Sequence, residues 1–367
     1  MEKKILRLTT LVTGIFGVGF LLLLWFLPDI QARADSYVQQ REQKKAEQWD
    51  SEMQAAMEGM TALEMMQYNT ANGVGETQAE FAEQLRLKLP DGMEAAQVEI
   101  DNDYLNQIIS IHIPEADQDY LYEYPMIGRS THIDDLSYEV GAHEGVLEIA
   151  MDSVYEVKQR GDGPYLYLDF LTPHEVYDKV IVIDAGHGGK ASGAIKKGVY
   201  EKDLNLSIVL ALKDLFEENG DSSVGVYYTR TEDVNPSLKA RADLANQAEA
   251  DLFVSVHNNS TTSGKMSGIS GTQVMYDETK ANETYGSKQF AQICLDSLVG
   301  ELGSRDKGLV KGSSIYIINH AQMPVALVEV GFMTNQEELE QLCDPEYQKK
   351  AAAGIYRAIY QALEEGF

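Results

Sequence analysis

From Val180 to the C terminus, short apolar runs alternate with stretches of helical spacing. Leu252, Phe253, Val254, Ser255 and Val256 form one such run, and Pro324, Val325, Ala326, Leu327 and Val328 form another. Ahead of them, Leu204, Leu206, Ile208, Val209, Leu212, Leu215 and Phe216 recur on one helical face and stop at Asn219 and Gly220, a usual stop signal. Asn235 and Pro236 open a second helix carrying Leu238, Ala242, Leu244 and Ala245; Asn335 with Glu338 makes a capping-box-like start for a third. This alternation predicts an α/β domain over residues 178–367, an open and mostly parallel sheet flanked by helices. Ligands of such sheets bind in the crevice outside the carboxyl ends of the strands.

Upstream, the period changes. Over residues 80–176, Leu85, Leu87 and Leu89, then Ile109, Ile111 and Ile113, Leu147, Ile149 and Met151, and Leu166, Leu168 and Phe170 alternate as half-buried strands do. Turn signals at Asp91-Gly92 and Gly161-Asp162-Gly163-Pro164 separate them, so a small all-β domain, a sandwich, is expected. Residues 35–75 are rich in Gln, Glu, Lys, Ala and Met, with Trp49, Met53, Met57, Met60 and Leu63 at helical spacing. They read as a helical stalk ending at Asn72, Gly73, Val74 and Gly75. In residues 1–34, Lys3, Lys4 and Arg7 precede an apolar run of 20 residues over positions 8–27. A run of that length suffices to span a bilayer as a helix, with its basic end cytoplasmic. A cleaved signal peptide competes, because Pro28 ends the run and Ala32, Arg33 and Ala34 fit a small-residue cleavage site. The anchor is favoured because the run exceeds an ordinary signal core.

The strand ends carry the chemistry. Asp184, Ala185, Gly186, His187, Gly188 and Gly189 place a glycine-bracketed histidine after one strand; His257 follows another, and Glu201 lies just before a helix. Two His and one Glu are a standard set for an open zinc site, which leaves a fourth position for water. Glu329 ends the Pro324 run and could take a proton from a water activated by that metal. Asn258, beside the second histidine, and His320, before the last strand, are candidate substrate contacts. His112, His132, His143 and His174 lack such flanks and read as surface or packed residues.

The chain's 367 residues and 44% hydrophobic content suffice for two modest cores, and 30 basic against 58 acidic residues give a net charge of −28. That balance argues against nucleic-acid binding, which needs lysine and arginine to neutralise phosphates. Two cysteines, Cys294 and Cys343, make no disulfide framework and read as buried free thiols.

The order Asp184-Ala185-Gly186-His187-Gly188-Gly189, then Tyr200-Glu201-Lys202-Asp203-Leu204-Asn205-Leu206, then Thr229-Arg230, then Ser255-Val256-His257-Asn258-Asn259, then Met323 to Phe332, resembles the zinc-dependent N-acetylmuramoyl-L-alanine amidases of type 3. The resemblance implies that His187, Glu201 and His257 hold the metal and that Glu329 is the catalytic glutamate. It implies hydrolysis of the amide joining the lactyl group of N-acetylmuramic acid to the first L-alanine of the stem peptide in peptidoglycan. Ala185 stands where the family often has proline, and Asn259 departs from its usual Ala-Asn order. Arg230 and Arg241 match recurrent family arginines, with a loop-holding role expected. The β-rich region resembles, by position and strand pattern, the AMIN-type domains that precede some amidases and bind cell wall; a structural spacer is the other reading. Two further readings of the whole stay open: a zinc carboxypeptidase or peptidase cutting another wall-peptide bond, and a noncatalytic wall-binding scaffold. Peptidoglycan and, through the N-terminal helix, a membrane are the expected partners. The catalytic part would be extracellular and membrane-tethered, or secreted to the wall if a signal is cleaved. Residues 258–286 are rich in Gly, Ser and Thr and include one strand-like piece, Thr272 to Tyr276, so no blocking helix is expected over the metal.

Overall fold

The computed structural model describes residues 55–74, 82–279 and 286–367. The apolar run of positions 8–27, with Trp49 and Met53 of the expected stalk, lies outside them. Among the described residues no helix is long and apolar enough to cross a membrane. Residues 61–367 form one compact unit.

The last part of the expected stalk is a docked helix, α1 (Ala62–Asn72). Thr61 accepts from the Glu64 N–H while the Glu64 carboxylate accepts from that of Thr61, and Gly73 closes the helix at φ 65°. Its inner side buries Met65 and Met66, and Asn69 Nδ2 donates to the Met126 carbonyl at 3.2 Å. A Cβ on Gly128 would lie 2.2 Å from Met66 Sδ, so the helix seats where glycine leaves room.

The β-rich part runs β1 (Leu85–Lys88), β2 (Glu99–Asp103), β3 (Ile108–Pro114), the short α2 (Tyr120–Glu123), β4 (Ile127–Gly128), β5 (Ile133–Val140), β6 (Glu144–Met151), β7 (Glu156–Asp162) and β8 (Tyr165–Leu171). These form two four-stranded antiparallel sheets, ordered β4-β1-β8-β7 and β2-β3-β6-β5. Ile109, Ile111, Ile113, Leu147, Ile149, Leu166, Leu168 and Phe170 are all buried, as their alternation predicts. With α1 seated on it, the region is more than the all-β unit its own strands suggest.

After α3 (Pro173–Val176) come β9 (Lys179–Ala185), the hairpin β10 (Ile195–Lys196) and β11 (Val199–Tyr200), α4 (Glu201–Asn219), β12 (Val224–Tyr228), α5 (Leu238–Gln247) and β13 (Leu252–Asn259). Then follow β14 (Thr272–Tyr276), α6 (Ser287–Leu302), β15 (Asp306–Lys311), α7 (Tyr316–His320), β16 (Val325–Phe332), α8 (Gln336–Leu342) and α9 (Pro345–Glu364). The sheet order is β12-β9-β13-β16-β14-β15. All its pairs are parallel except β14 against β16, so the sheet is mixed, with β14 and β15 running opposite to the other four strands.

Strand side chains alternate between two cores. Ile181, Ile183, Val254, Val256 and Val328 face α4, α6 and α9 through Ile208, Leu212, Phe290, Leu298, Ile355 and Ile359. Val180, Val182, Phe253, Val325 and Leu327 face α5 and α7 through Leu244, Ala245, Ile317 and Ile318. The second core is closed partly from the β-rich part, which contributes buried Val154 and half-buried Tyr104 and Leu105. Tyr104 and Tyr227 meet edge to face at 4.9 Å, and both hydroxyls donate to Glu156, at 3.0 and 2.6 Å. Both cysteines are free; Cys294 is buried as expected, but Cys343 is exposed because it lies just past the end of α8.

Candidate metal centre

The backbone that carries His187 is built for tight approach. β9 ends at Ala185, and His187, Gly188 and Gly189 then take φ values of 61°, 131° and 49°. Only glycine fits around this histidine. A Cβ on Gly186 would lie 2.2 Å from His257 Nε2, one on Gly188 1.9 Å from the Val234 carbonyl oxygen, and one on Gly193 2.5 Å from Glu201 Oε2. His187 itself holds a left-handed conformation that costs a non-glycine residue about 1–2 kcal/mol. Two arginines clamp the loop. Arg241 Nη2 donates to the His187 carbonyl at 2.7 Å, and Arg230 Nε and Nη2 donate to the carbonyls of Ala185 at 2.8 Å and Gly186 at 3.0 Å.

Asp184 anchors that clamp. It is fully buried and accepts from Thr229 Oγ1 at 2.6 Å, from Ser255 Oγ at 2.5 Å and from Arg241 Nη1 at 2.5 Å. Burial alone would raise its pKa, but the Arg241 guanidinium and the two hydroxyls outweigh it and hold the carboxyl below its ordinary range.

Glu201 is the first residue of α4, delivered by the β10–β11 hairpin. Its N–H donates to the Ala194 carbonyl at 2.9 Å, and its Oε2 accepts from the Ala194 N–H at 2.8 Å. That pair turns Oε1 toward His187 Nε2 at 3.1 Å and His257 Nδ1 at 2.9 Å. Burial works against its charge, yet the two imidazoles hold the carboxyl well below the usual carboxylate range. The rings of His187 and His257 stand edge to face, 4.8 Å apart at 79°.

Three ligand atoms, one from each residue, lie within 4.8 Å of one another. Two imidazole nitrogens and one carboxylate oxygen, with every other polar atom of the carboxylate already occupied, match the donor set and openness of a zinc site. The residues fit the metal.

Glu329 stands beside them. It pairs in register with His257 across β13 and β16. The residue is half-buried, and its Oε2 is shut off from water with no hydrogen-bond partner among the described residues. Burial, with the nearby Glu201 carboxylate adding to it, pushes its pKa up to about 8.

The two candidate substrate contacts fall elsewhere. Asn258 is buried with its Nδ2 donating to Asn205 Oδ1 at 2.9 Å, so it braces the centre from behind. His320 ends α7, before β16 begins, whereas the ligands gather at the far end of the strands. Its ring stacks on Tyr316 at 3.7 Å and its Nδ1 meets the Tyr316 carbonyl. Sequence reading missed Asn205, whose Nδ2 donates to the Gly186 carbonyl at 3.0 Å. Its spacing four residues from Glu201 on α4, hence on the same helical face, was the available signal.

A sequence model of the N-acetylmuramoyl-L-alanine amidase family matches residues 181–361, from β9 into α9. The uncharacterized protein YqiI of Bacillus subtilis (strain 168) is 39% identical over 181 residues, which cover 49% of this chain and 83% of that protein. Another relative, the germination-specific N-acetylmuramoyl-L-alanine amidase of Bacillus subtilis (strain 168), is 31% identical over 51% of this chain and 81% of its own length. The chain belongs to the N-acetylmuramoyl-L-alanine amidase family. The N-acetylmuramoyl-L-alanine amidase LytC of the same organism is 36% identical over 49% of this chain but only 35% of its own length. The family match contains His187, Glu201, His257 and Glu329, and the two β-rich sheets lie outside it.

Proposed function

We propose that the chain is a zinc-dependent peptidoglycan hydrolase that cleaves the amide between N-acetylmuramic acid and the L-alanine of the stem peptide. The observation that carries this reading is the convergence of His187, Glu201 and His257 beside Glu329, a carboxyl with a raised pKa and an unpartnered oxygen. A zinc ion held by the three ligands would polarise the amide carbonyl and lower the pKa of water. Glu329 supplies the proton traffic. As carboxylate it takes a proton from the attacking water, and as acid it returns that proton to the departing alanine nitrogen. Its burial keeps the two forms close in energy, and a divalent cation close by favours the carboxylate. Asp184, Arg241 and Arg230 do no chemistry; they fix the loop on which His187 sits.

The test is digestion of purified peptidoglycan by the zinc-loaded chain, with mass spectrometry of the soluble products. New amino termini at L-alanine are expected. Release of a carboxy-terminal residue instead would move the chain to the peptidase reading, and an inert zinc-loaded chain would move it to the scaffold reading. Lys3, Lys4 and Arg7 ahead of the apolar run support a membrane tether with this domain on the outer side.

A further inference from the structure

The hairpin segment that delivers Glu201 is richer in lysine than the rest of the chain. Acidic residues outnumber basic ones 58 to 30 overall, yet Lys190, Lys196, Lys197 and Lys202 crowd residues 190–202, where the sole acid is the ligand Glu201. Lys202 is neutralised by Asp233 at 2.5 Å, and Lys197 is hydrogen-bonded to uncharged Gln336. Lys196 is in no ion pair among the described residues. It reaches across to the loop after β13, where a Cβ on Gly264 would lie 3.5 Å from its Nζ. The next residue in that loop is exposed Lys265, likewise in no ion pair among the described residues. No acid occurs between Thr261 and Ser270. The loop is held at its base, where Thr334 accepts from the N–H groups of Thr261, through Oγ1, and Ser267, through its carbonyl. Ile195, Met266 and Ile269 stand exposed on the same two segments, so the cations sit among apolar side chains.

We propose that Lys196 and Lys265 form a subsite for a carboxylate of the stem peptide, carried one residue beyond the L-alanine at the scissile amide. The proposal rests on the amidase reading. Spacing supports the assignment: Ala194 is hydrogen-bonded to Glu201 at the centre, and Lys196 is two residues further out along the hairpin. At roughly 3.3 Å per extended residue, two residues of hairpin span about 7 Å, the length of the L-alanine and the residue that follows it in an extended stem peptide. Two lysines in no ion pair among the described residues give an acidic peptide a local attraction that a chain of net charge −28 otherwise lacks.

The test uses the full chain, zinc-loaded, and two N-acetylmuramoyl peptides identical except that the residue after L-alanine carries either a free α-carboxylate or its carboxamide. The wild type should favour the carboxylate about five-fold in kcat/KM, the size of one or two exposed ion pairs. The preference should reside in KM and fade as salt is raised from low to physiological strength. Lys196→Glu with Lys265→Glu should remove or invert it while zinc content holds. Lys213→Glu with Lys349→Glu, the same change in net charge on distant helices, should leave it in place. Equal kcat/KM for the two peptides in the wild type, or a preference that survives Lys196→Glu/Lys265→Glu, overturns the subsite and leaves the amidase reading standing. If the wild type cleaves neither peptide nor peptidoglycan, both fall together.

Discussion

Arg241 joins the buried carboxylate of Asp184 to the carbonyl of His187: its Nη1 pairs with Asp184 Oδ1, and its Nη2 donates to the histidine's oxygen at 2.7 Å. The relationship explains how a histidine persists at a φ of 61°. One guanidinium takes the strain of the loop and repays the burial of its own charge with an ion pair.

Arg241→Ala should therefore act on stability and on metal together. Removing one member of a buried pair leaves Asp184 uncompensated, a loss of about 3–5 kcal/mol. The freed loop should bind zinc about 10–100-fold more weakly, as losses of outer supporting contacts do. Thermal unfolding and competition with a chelator measure the two effects. A variant of native zinc affinity would show that the glycine-rich backbone holds His187 without help.

Glu201 and Glu329 should separate by what each loses. Glu201→Ala removes the carboxylate that lies within 3.1 Å of both imidazoles, so metal content and turnover should fall together. Glu329→Gln keeps all three ligands and should retain about one zinc per chain, while turnover drops on the order of 100-fold or more. Elemental analysis beside product release distinguishes them, and a fully active Glu329→Gln would remove this residue from the chemistry.

The candidate ligands were legible because each lies near the carboxyl end of a strand or opens a helix, and the alternation of apolar runs with helical stretches places strand ends on one rim of the sheet. Glu329 followed from the same logic, since its strand pairs in register with that of His257. The supports were harder to read. Asp184 looks like any strand-end acid until the fold sets Thr229, Ser255 and Arg241 around it, contacts made across 45 to 71 residues. Asn258 and His320 misled for a related reason. Nearness in sequence to a ligand or a functional strand does not say which face of the strand, or which end, a side chain occupies. The reversal of β14 and β15 was also hidden, because a strand pattern in sequence carries no direction.

Acid should weaken the fold through Asp184. Its pKa in the folded chain lies below 3.8, its ordinary value, so its contribution is present above that value and lost as pH falls through the folded one. Asp184→Asn should be less stable than wild type at neutral pH, with the gap narrowing below about pH 4. Glu329 works in the opposite sense in metal-free protein. With a folded pKa of about 8 against an ordinary 4.5, stability is full below 4.5 and lost as pH rises through about 8. Metal-free Glu329→Gln should keep its melting temperature across that window while the wild type declines. Parallel curves for the two proteins would mean that Glu329 is solvated rather than buried.

The catalytic fragment 178–367 should fold less securely than its length suggests. Residues 61–367 are one compact unit, and the core formed by Val180, Val182, Phe253 and Leu327 is closed by Val154, Tyr104 and Leu105 from the β-rich part. Cutting at 178 exposes that face. Val154 alone is 1% exposed, and burying a side chain of its kind is worth about 1.5–3 kcal/mol. Tyr227, which loses its hydrogen bond to Glu156 and its contact with Tyr104, would add an unpartnered hydroxyl to the same surface. His187, Glu201, His257 and Glu329 all remain in the fragment, so on the proposed function it should still bind zinc and hydrolyse peptidoglycan without an added protein. It should melt several degrees below a chain that retains residues 61–177, and bind a hydrophobic dye that the longer chain does not. Equal melting temperatures would show that the β-rich part is a separable neighbour and not a wall of the amidase core.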